Sequence, residues 1–333
     1  MQAEVTIDSI ATGGDGVGRA DGRVVLVPRS APGDVGIVEM PDKGRFARVE
    51  FRELRVASSK RVQPACMHFV MDRCGGCQLQ HLSYEAQLEA KARIVRDAMQ
   101  RIGRREIEAP VVHPSAHPWR YRRKLTLALR RRTSGWIAGL HPFDDPVTVF
   151  SLDDCPITHQ DVLDVWREVL AAAEFFPAAD ELRGALRFEG EESASLTIEG
   201  AREWPSSPEF FAAVPRLGAL WWIPENRSRR RLHARDAETA PGASFAQVNP
   251  AVAGPLRRRV VALAMARHPA TAVDAYAGLG DTAAELAAHG VRVTAIELDR
   301  DAVRWSAERL PPGSRVLSGR VEHSSRARCP PMS

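Results

Sequence analysis

The chain has 333 residues, 44% hydrophobic, 26% charged and 6% aromatic, with 46 Lys and Arg against 42 Asp and Glu for a formal charge of +4. That is too long for a single ordinary domain of roughly 100–200 residues and too apolar for wholesale disorder. Five cysteines are too few for a disulfide scaffold, and no run reaches the roughly 18 apolar residues that a transmembrane helix requires.

Residues 1–57 alternate apolar and polar positions in short runs separated by turns, at Gly13, Gly14, Gly16, Gly18 and Pro32-Gly33. This predicts five short strands, one of them spanning 46–51, in a small β-barrel of a type that holds oligonucleotides or serves as a plain structural module. Residues 58–81 read as a cysteine-bearing loop. A helix follows over Ser83–Ile102, with Leu88, Ile94, Val95, Ala98, Met99 and Ile102 on its apolar face. Residues 110–235 mix strands, such as 125–129 and 195–199, with an amphipathic helix over 162–176. From residue 243 the pattern becomes alternating helix and strand. Helices are predicted over 256–266, 282–289 and 301–310, an apolar strand running into a glycine turn over 271–281, and strands over 291–299 and from 315. That is the opening half of a doubly wound parallel sheet, three strands of about six.

The basic residues are clustered. Residues 119–132 hold seven Lys or Arg and no acid, and 227–235 hold five Arg and no acid, beside Trp119, Tyr121, Trp221 and Trp222. Folded onto one face, such clusters seek phosphates; the alternative is a solvated charged face. No basic stretch precedes an apolar one at the N-terminus, so a cytoplasmic protein is expected, with no membrane partner and no obligate protein partner.

Two constellations carry chemistry. Gly278-x-Gly280 with Ala283 follows a strand, and Glu297 ends the next, which is the outline of a nucleotide site. Asp274 lies within the first strand. A carboxylate there suits the cationic sulfonium of S-adenosylmethionine better than the pyrophosphate of NAD, and the third glycine of a pyrophosphate turn is missing. The second constellation is Cys66-x7-Cys74-Gly-Gly-Cys77 with a remote Cys155-Pro156. Four thiolates suit Zn²⁺ or an iron–sulfur cluster; three local ligands and one distant, followed by proline, favour a [4Fe–4S] cluster over zinc.

Taken in order, GGDGVGR (13–19), VLVP (25–28), APGD (31–34), CGGCQLQHL (74–82), YRRKLTLAL (121–129), CPI (155–157), SFAQVN (244–249), DAYAGLGD (274–281) and AIELD (295–299) resemble the RNA uracil-5-methyltransferase family. The match is nearest to its ribosomal-RNA branch and runs from residue 3 to about 322. The resemblance implies an α/β plus β architecture. An OB-like TRAM barrel would occupy 1–57 and an α+β iron–sulfur domain with an RNA-binding surface 58–242. An incomplete Rossmann-like S-adenosylmethionine domain would fill 243–333. Residue by residue, it implies that Cys66, Cys74, Cys77 and Cys155 hold a [4Fe–4S] cluster, although the seven-residue gap after Cys66 exceeds the usual five. It places Gln247 on S-adenosylmethionine, Tyr276 as the aromatic residue of the glycine turn, Glu297 on the ribose hydroxyls and Arg320 on the adenine side. Asp281 stands where asparagine is more usual. The implied reaction is methylation of C5 of a uridine in 23S rRNA. A cysteine thiolate adds at C6, C5 attacks the methyl group, and a base removes the C5 proton. The family's later motifs, with nucleophile and base, do not follow Glu322, and HSSRARCPPMS carries no strand or helix pattern. Cys329 reads as a stray tail thiol, no catalytic residue is assigned, and the 333 residues are expected not to methylate by this route. The alternatives are a non-catalytic RNA-binding iron–sulfur remnant and an iron–sulfur redox protein.

Overall fold

The computed structural model describes residues 1–189, 193–235, 244–245 and 247–324. The chain packs as two compact units, Met1–Pro118 with Leu140–Pro156, and Trp119–Gly139 with Ile157–Ser333.

The first unit opens with β1 (Gln2–Ile10), β2 (Gly16–Ala20), β3 (Arg23–Val27), β4 (Val35–Glu39), β5 (Phe46–Arg48) and β6 (Phe51–Val56), in the order β5-β3-β2-β1-β4-β6. Alternation places Val5, Ile7, Val25, Val27, Val38 and Met40 in one core. The expected five strands are six. The run 46–51 breaks after Arg48, and its two halves pair differently, β5 parallel to β3 and β6 antiparallel to β4. Asp34, in the turn before β4, is fully buried. Its carboxylate accepts the N–H groups of Ala31 (2.6 Å) and Ser58 (2.9 Å) and the Arg61 guanidinium (2.7 and 2.8 Å).

After the short α1 (Met67–Val70), α2 (Tyr84–Arg101) starts where capping predicts. The Ser83 hydroxyl accepts the Ala86 N–H at 3.2 Å. Its buried face differs from the expected one. Ala86 and Ala90, with Ile94, pack on Ile10, Ala31 and Leu82, whereas Val95 and Ile102 are exposed. Alanines let the helix approach closely, a preference that hydrophobic size alone does not encode.

The second unit contains β7 (Lys124–Arg132) and most of β8 (Gly135–Leu140); β9 (Phe150–Ser151) belongs to the first. Then come α3 (Gln160–Ala171), β10 (Glu181–Glu189), β11 (Ser193–Glu199), α4 (Ser207–Ala213), β12 (Leu217–Ile223) and β13 (Arg230–Ala234). The helix expected over 162–176 starts two residues earlier and stops at Ala171, giving way to a 3₁₀ turn over Ala173–Phe175. The strands lie in the order β13-β12-β11-β10-β7-β8, antiparallel except for β11 with β12. Leu125, Leu186 and Leu196 stand side by side on one face of this sheet. Trp166 of α3 lies over Gly184 on that face, where a Cβ would stand 2.5 Å from its ring. Gly184→Ala is therefore expected to lower stability by about 1–3 kcal/mol, read as a fall in the urea midpoint at constant m-value. Strand propensity alone would predict the opposite sign.

The remainder is α5 (Pro250–Met265), β14 (Thr271–Ala275), α6 (Asp281–Ala288), β15 (Arg292–Glu297), α7 (Arg300–Arg309), β16 (Arg315–Ser318) and α8 (Val321–Ser324). The three strands are parallel in the order β14-β15-β16, as the alternating pattern predicts. Helix α5 begins six residues before its expected start, at Pro250, because proline at the first helical position gives up an N–H that has no partner there anyway. Val261, Ala283, Leu286, Val291, Val293 and Ala295 form the core between helices and sheet.

Candidate functional site

The carboxyl ends of β14 and β15 meet at the glycine turn. Tyr276, Gly278 and Gly280 all have left-handed φ, of 59°, 56° and 78°. At Gly280 glycine is also required by space, since a Cβ would lie 2.1 Å from the Ser306 hydroxyl. The Glu297 carboxylate locks this turn. One oxygen accepts the Gly278 N–H at 2.8 Å, and the other accepts the N–H groups of Leu298 and Asp299, each at 2.8 Å. Asp274 lies one strand over. Its carboxylate accepts the Ala283 N–H in the first turn of α6, while Oδ2 is buried with no hydrogen-bond partner among the described residues. Burial pushes this carboxyl above the usual range, and the Ala283 N–H offsets only part of that.

The sequence-predicted residues are not all brought to one point. Tyr276 is exposed and donates its phenol to Glu322 at 2.6 Å. That bond raises the Tyr276 pKa and lowers that of Glu322. Asp281 is exposed at the start of α6, held by Arg309 at 3.0 Å and Arg257 at 3.5 Å. Gln247 is exposed. Its segment passes the turn, for the Phe245 carbonyl lies 3.6 Å from where a Gly278 Cβ would be. Arg320 lies between β16 and α8, and Cys329 lies outside the described residues.

A network that residue patterning did not reveal fastens this segment. The Ser244 hydroxyl donates to Asp299 at 2.8 Å, and Arg229 pairs with Asp299 at 2.7 Å and with Asp301. Burial and the Arg229 and Ser244 hydrogen bonds oppose each other at Asp299, and the bonds hold its carboxyl below the usual range. The arginine cluster over 227–235, read as phosphate-seeking, is thus partly spent inside the fold. Arg229 is neutralised, and Arg235 donates to the carbonyls of Leu217 and Phe211. Acids 70 and 72 residues away in sequence could not be matched to Arg229 from local charge patterning.

In the first unit Cys66, Cys74 and Cys155 are buried and Cys77 is half-buried, and no disulfide joins the four. The cysteine loop is held down at several points. Cys74 bridges Pro142, the Gly75 N–H donates to His141 O at 2.9 Å, and Arg29 donates to the carbonyls of Cys74 (3.1 Å) and Phe69. The Arg29 guanidinium also stacks on Phe69 and Phe143, at 3.9 and 4.5 Å. These contacts tie the 66–77 loop to the segment at His141 and Pro142, while the Asp153 N–H donates to the His68 ring at 3.3 Å, two residues before Cys155. Burial pushes the Cys74 thiol up to about 11, and its neighbours Cys77, Cys66 and Cys155 add to the rise. Cys66 is raised by burial as well and also feels Cys155. No group of three or more His, Cys, Asp or Glu side chains among the described residues is spaced to hold a single metal ion. Among the same residues, no helix is long and apolar enough to cross a membrane.

No protein-family model matches the chain. An uncharacterized RNA methyltransferase of Protochlamydia amoebophila is 28% identical over 345 residues, 96% of this chain and 77% of that protein. Another from Listeria monocytogenes is 27% identical over 335 residues, 90% and 73% of the two chains. The crystal structure of the Pyrococcus abyssi tRNA (uracil-54, C5)-methyltransferase in complex with S-adenosyl-L-homocysteine shares the fold. Its TM-score is 0.62 at 22% identity, over 94% of this chain and 79% of that one. An uncharacterized RNA methyltransferase of Halalkalibacterium halodurans is 30% identical over 342 residues, spanning 90% of this chain and 72% of the relative, and with that agreement this chain belongs to the RNA methyltransferase family.

Proposed function

We propose that the protein is by lineage an S-adenosylmethionine-dependent methyltransferase of C5 of a uridine in 23S rRNA, located in the cytoplasm, and that it carries a [4Fe–4S] cluster. The observation that carries the cofactor assignment is the pair of acids at the ends of β14 and β15. Asp274 presents a buried oxygen without a donor, and Glu297 ends the neighbouring strand. Such a pair favours a cationic ligand bearing hydroxyls and repels a pyrophosphate. Glu297 already spends both oxygens on backbone N–H groups. Its role is to shape the turn and to offer its remaining lone pairs to the ribose. Tyr276 and Gln247, both exposed at or beside the turn, would cover the ligand from the solvent side. When bound, S-adenosylmethionine supplies an electrophilic methyl group. Among the described residues none is assigned as nucleophile or base.

Cys66, Cys74, Cys77 and Cys155 would hold the cluster. Burial and the mutual repulsion of these thiols raise Cys66 and Cys74, so the set needs a positive centre to be held as thiolates, the form in which cysteine ligates such a cluster. When bound, the cluster supplies a cross-link between the 66–77 loop and Cys155. The three-module division at 57/58 and 242/243, with a TRAM-like first module, belongs to the same proposal.

The test is labelled-methyl transfer to 23S rRNA and to tRNA transcripts, with the product nucleoside identified. Any label is expected in 5-methyluridine of 23S rRNA; label in another base, or in tRNA alone, overturns the assignment, and no label at all bears out the expectation that these 333 residues do not methylate by the family's route. Protein purified without oxygen should hold about four irons per chain and absorb visible light, and Cys74→Ser should lose both. Zinc in place of iron would dismiss the cluster.

A further inference from the structure

The single turn α1 is built inside out. Its outward positions are apolar, with Met67, Val70 and Met71 62%, 49% and 76% exposed, while His68 is only 3% exposed. A polar ring in the buried position costs free energy unless its nitrogens are paired. Both are paired, and to different stretches of chain. Nδ1 meets the Asp72 carboxylate at 2.7 Å, four residues on, and Nε2 accepts the Asp153 N–H at 3.3 Å, 85 residues away. The ring also stacks on Phe150, with centroids 5.3 Å apart and planes 25° apart. The His68 backbone serves the loop in turn. Its carbonyl accepts the N–H groups of Cys74 (2.9 Å) and Asp72 (3.2 Å), and its N–H donates to the Cys66 sulfur. One residue thus holds Cys66 and Cys74 through its backbone and the segment leading into Cys155 through its ring.

We propose that His68 is a positioning residue for the four-cysteine site, holding the Cys155 segment against the 66–77 loop before any iron is bound. This role rests on the cluster reading given above and adds the residue that prepares the site. No disulfide joins the four cysteines. Without another tie, the remote ligand would have to be gathered from a free segment as the cluster formed, at an entropic cost. The tautomer of the ring is dictated by its partners. A backbone N–H can only donate, so Nε2 carries the lone pair and Nδ1 the proton, which Asp72 accepts. A proton on Nε2 would set two donors face to face and release the Asp153 amide. Asp72 keeps the ring in its linking form, in the manner of the carboxylates that orient histidines around metal centres.

The experiment follows iron in the full chain, purified without oxygen, during challenge with an iron chelator. His68→Leu fills the space without either hydrogen bond and is expected to lose iron about tenfold faster than wild type. His68→Gln places Oε1 where it can still accept the Asp153 N–H and should restore most of the retention; a role in packing alone would give the reverse order. Asp72→Ala, at a partly exposed position, should fold normally and fall between wild type and His68→Leu. In iron-free protein, nitrogen NMR of labelled histidine, with His68 assigned from the signal missing in His68→Gln, should show the proton on Nδ1. Wild-type iron retention in a folded His68→Leu or in Asp72→Ala, or a ring protonated on Nε2, would overturn this role and leave the cluster standing. A wild-type chain without iron would bring down the cluster reading and this role together.

Discussion

Glu297→Ala is expected to weaken S-adenosylhomocysteine binding about a hundredfold or more. The carboxylate accepts three backbone N–H groups, from Gly278, Leu298 and Asp299, and hydrogen bonds to a charged group are worth about 1.5–3 kcal/mol each. Part of that loss is recovered as water replaces the carboxylate, so a net cost of about 3 kcal/mol at the site is reasonable, equivalent to about a hundredfold in affinity. Losing the ribose contact would add to it. Glu297→Gln should fall between the two, since its carbonyl keeps one set of acceptor lone pairs while its NH₂ faces a backbone donor. Calorimetric titration measures the affinity, and a thermal melt of each variant separates loss of the site from loss of the fold. Near-normal affinity in a folded Glu297→Ala variant would remove this acid from the cofactor site.

Asp34→Ala should cost about 3–5 kcal/mol of stability, the range for removing one partner of a buried ion pair. The carboxylate is fully buried and serves Ala31, Ser58 and Arg61 at once, so the variant strands two backbone donors and a guanidinium together. Its pH signature is distinct. Burial by itself would raise the Asp34 carboxyl, but the hydrogen bonds from Arg61, Ala31 and Ser58 outweigh it and hold the pKa below the usual carboxylate range. A group held below its unfolded value of about 3.9 contributes fully above that pH, and its contribution is lost as pH falls through the folded value. Urea unfolding between about pH 2 and pH 7 should show wild type and Asp34→Ala converging in acid and separating towards neutrality. Parallel curves would mean that Asp34 is not charged in the folded protein.

Much of the C-terminal architecture was legible in the sequence. Each strand, turn and helix from β14 to β16 is a local pattern: an apolar run, a glycine that must turn, an N-cap such as Asp299 that accepts the N–H groups of Asp301 and Ala302. Where the reading went astray, the deciding contact was remote. The run 46–51 is one β-prone segment by propensity, but β3 and β4 claim its two halves with opposite polarity. In α2 the larger residues Val95 and Ile102 looked like the core face, yet the neighbouring strand end and loop leave room for alanine.

The candidate sites divide in the same way. Glu297 and the glycines follow from spacing along a strand-turn-helix unit, but the use of both Glu297 oxygens on backbone N–H groups does not. The four cysteines can be counted in the sequence, whereas the electrostatic influence of Cys155 on Cys66 and Cys74 comes from tertiary packing, in which Pro142 and His141 pair with Cys74 and Gly75. Arg229 belongs to an acid-free run, and the fold nevertheless supplies it with Asp299 and Asp301.

The sequence by itself determined the alternation that makes strands, the 3.6-residue spacing that makes helices, and the glycine turn between β14 and α6. All of these are energies between residues a few positions apart. The tertiary structure alone decided which charges are cancelled, as when Arg229 meets Asp299 and Asp301 at the start of α7, because that depends on contacts between residues far apart in the chain. Alternation with Leu125, Leu196 and Ile198 already puts Lys124, Ser195 and Thr197 on the face opposite the leucines, but which residues of other strands lie beside them is a matter of register between segments far apart in the chain.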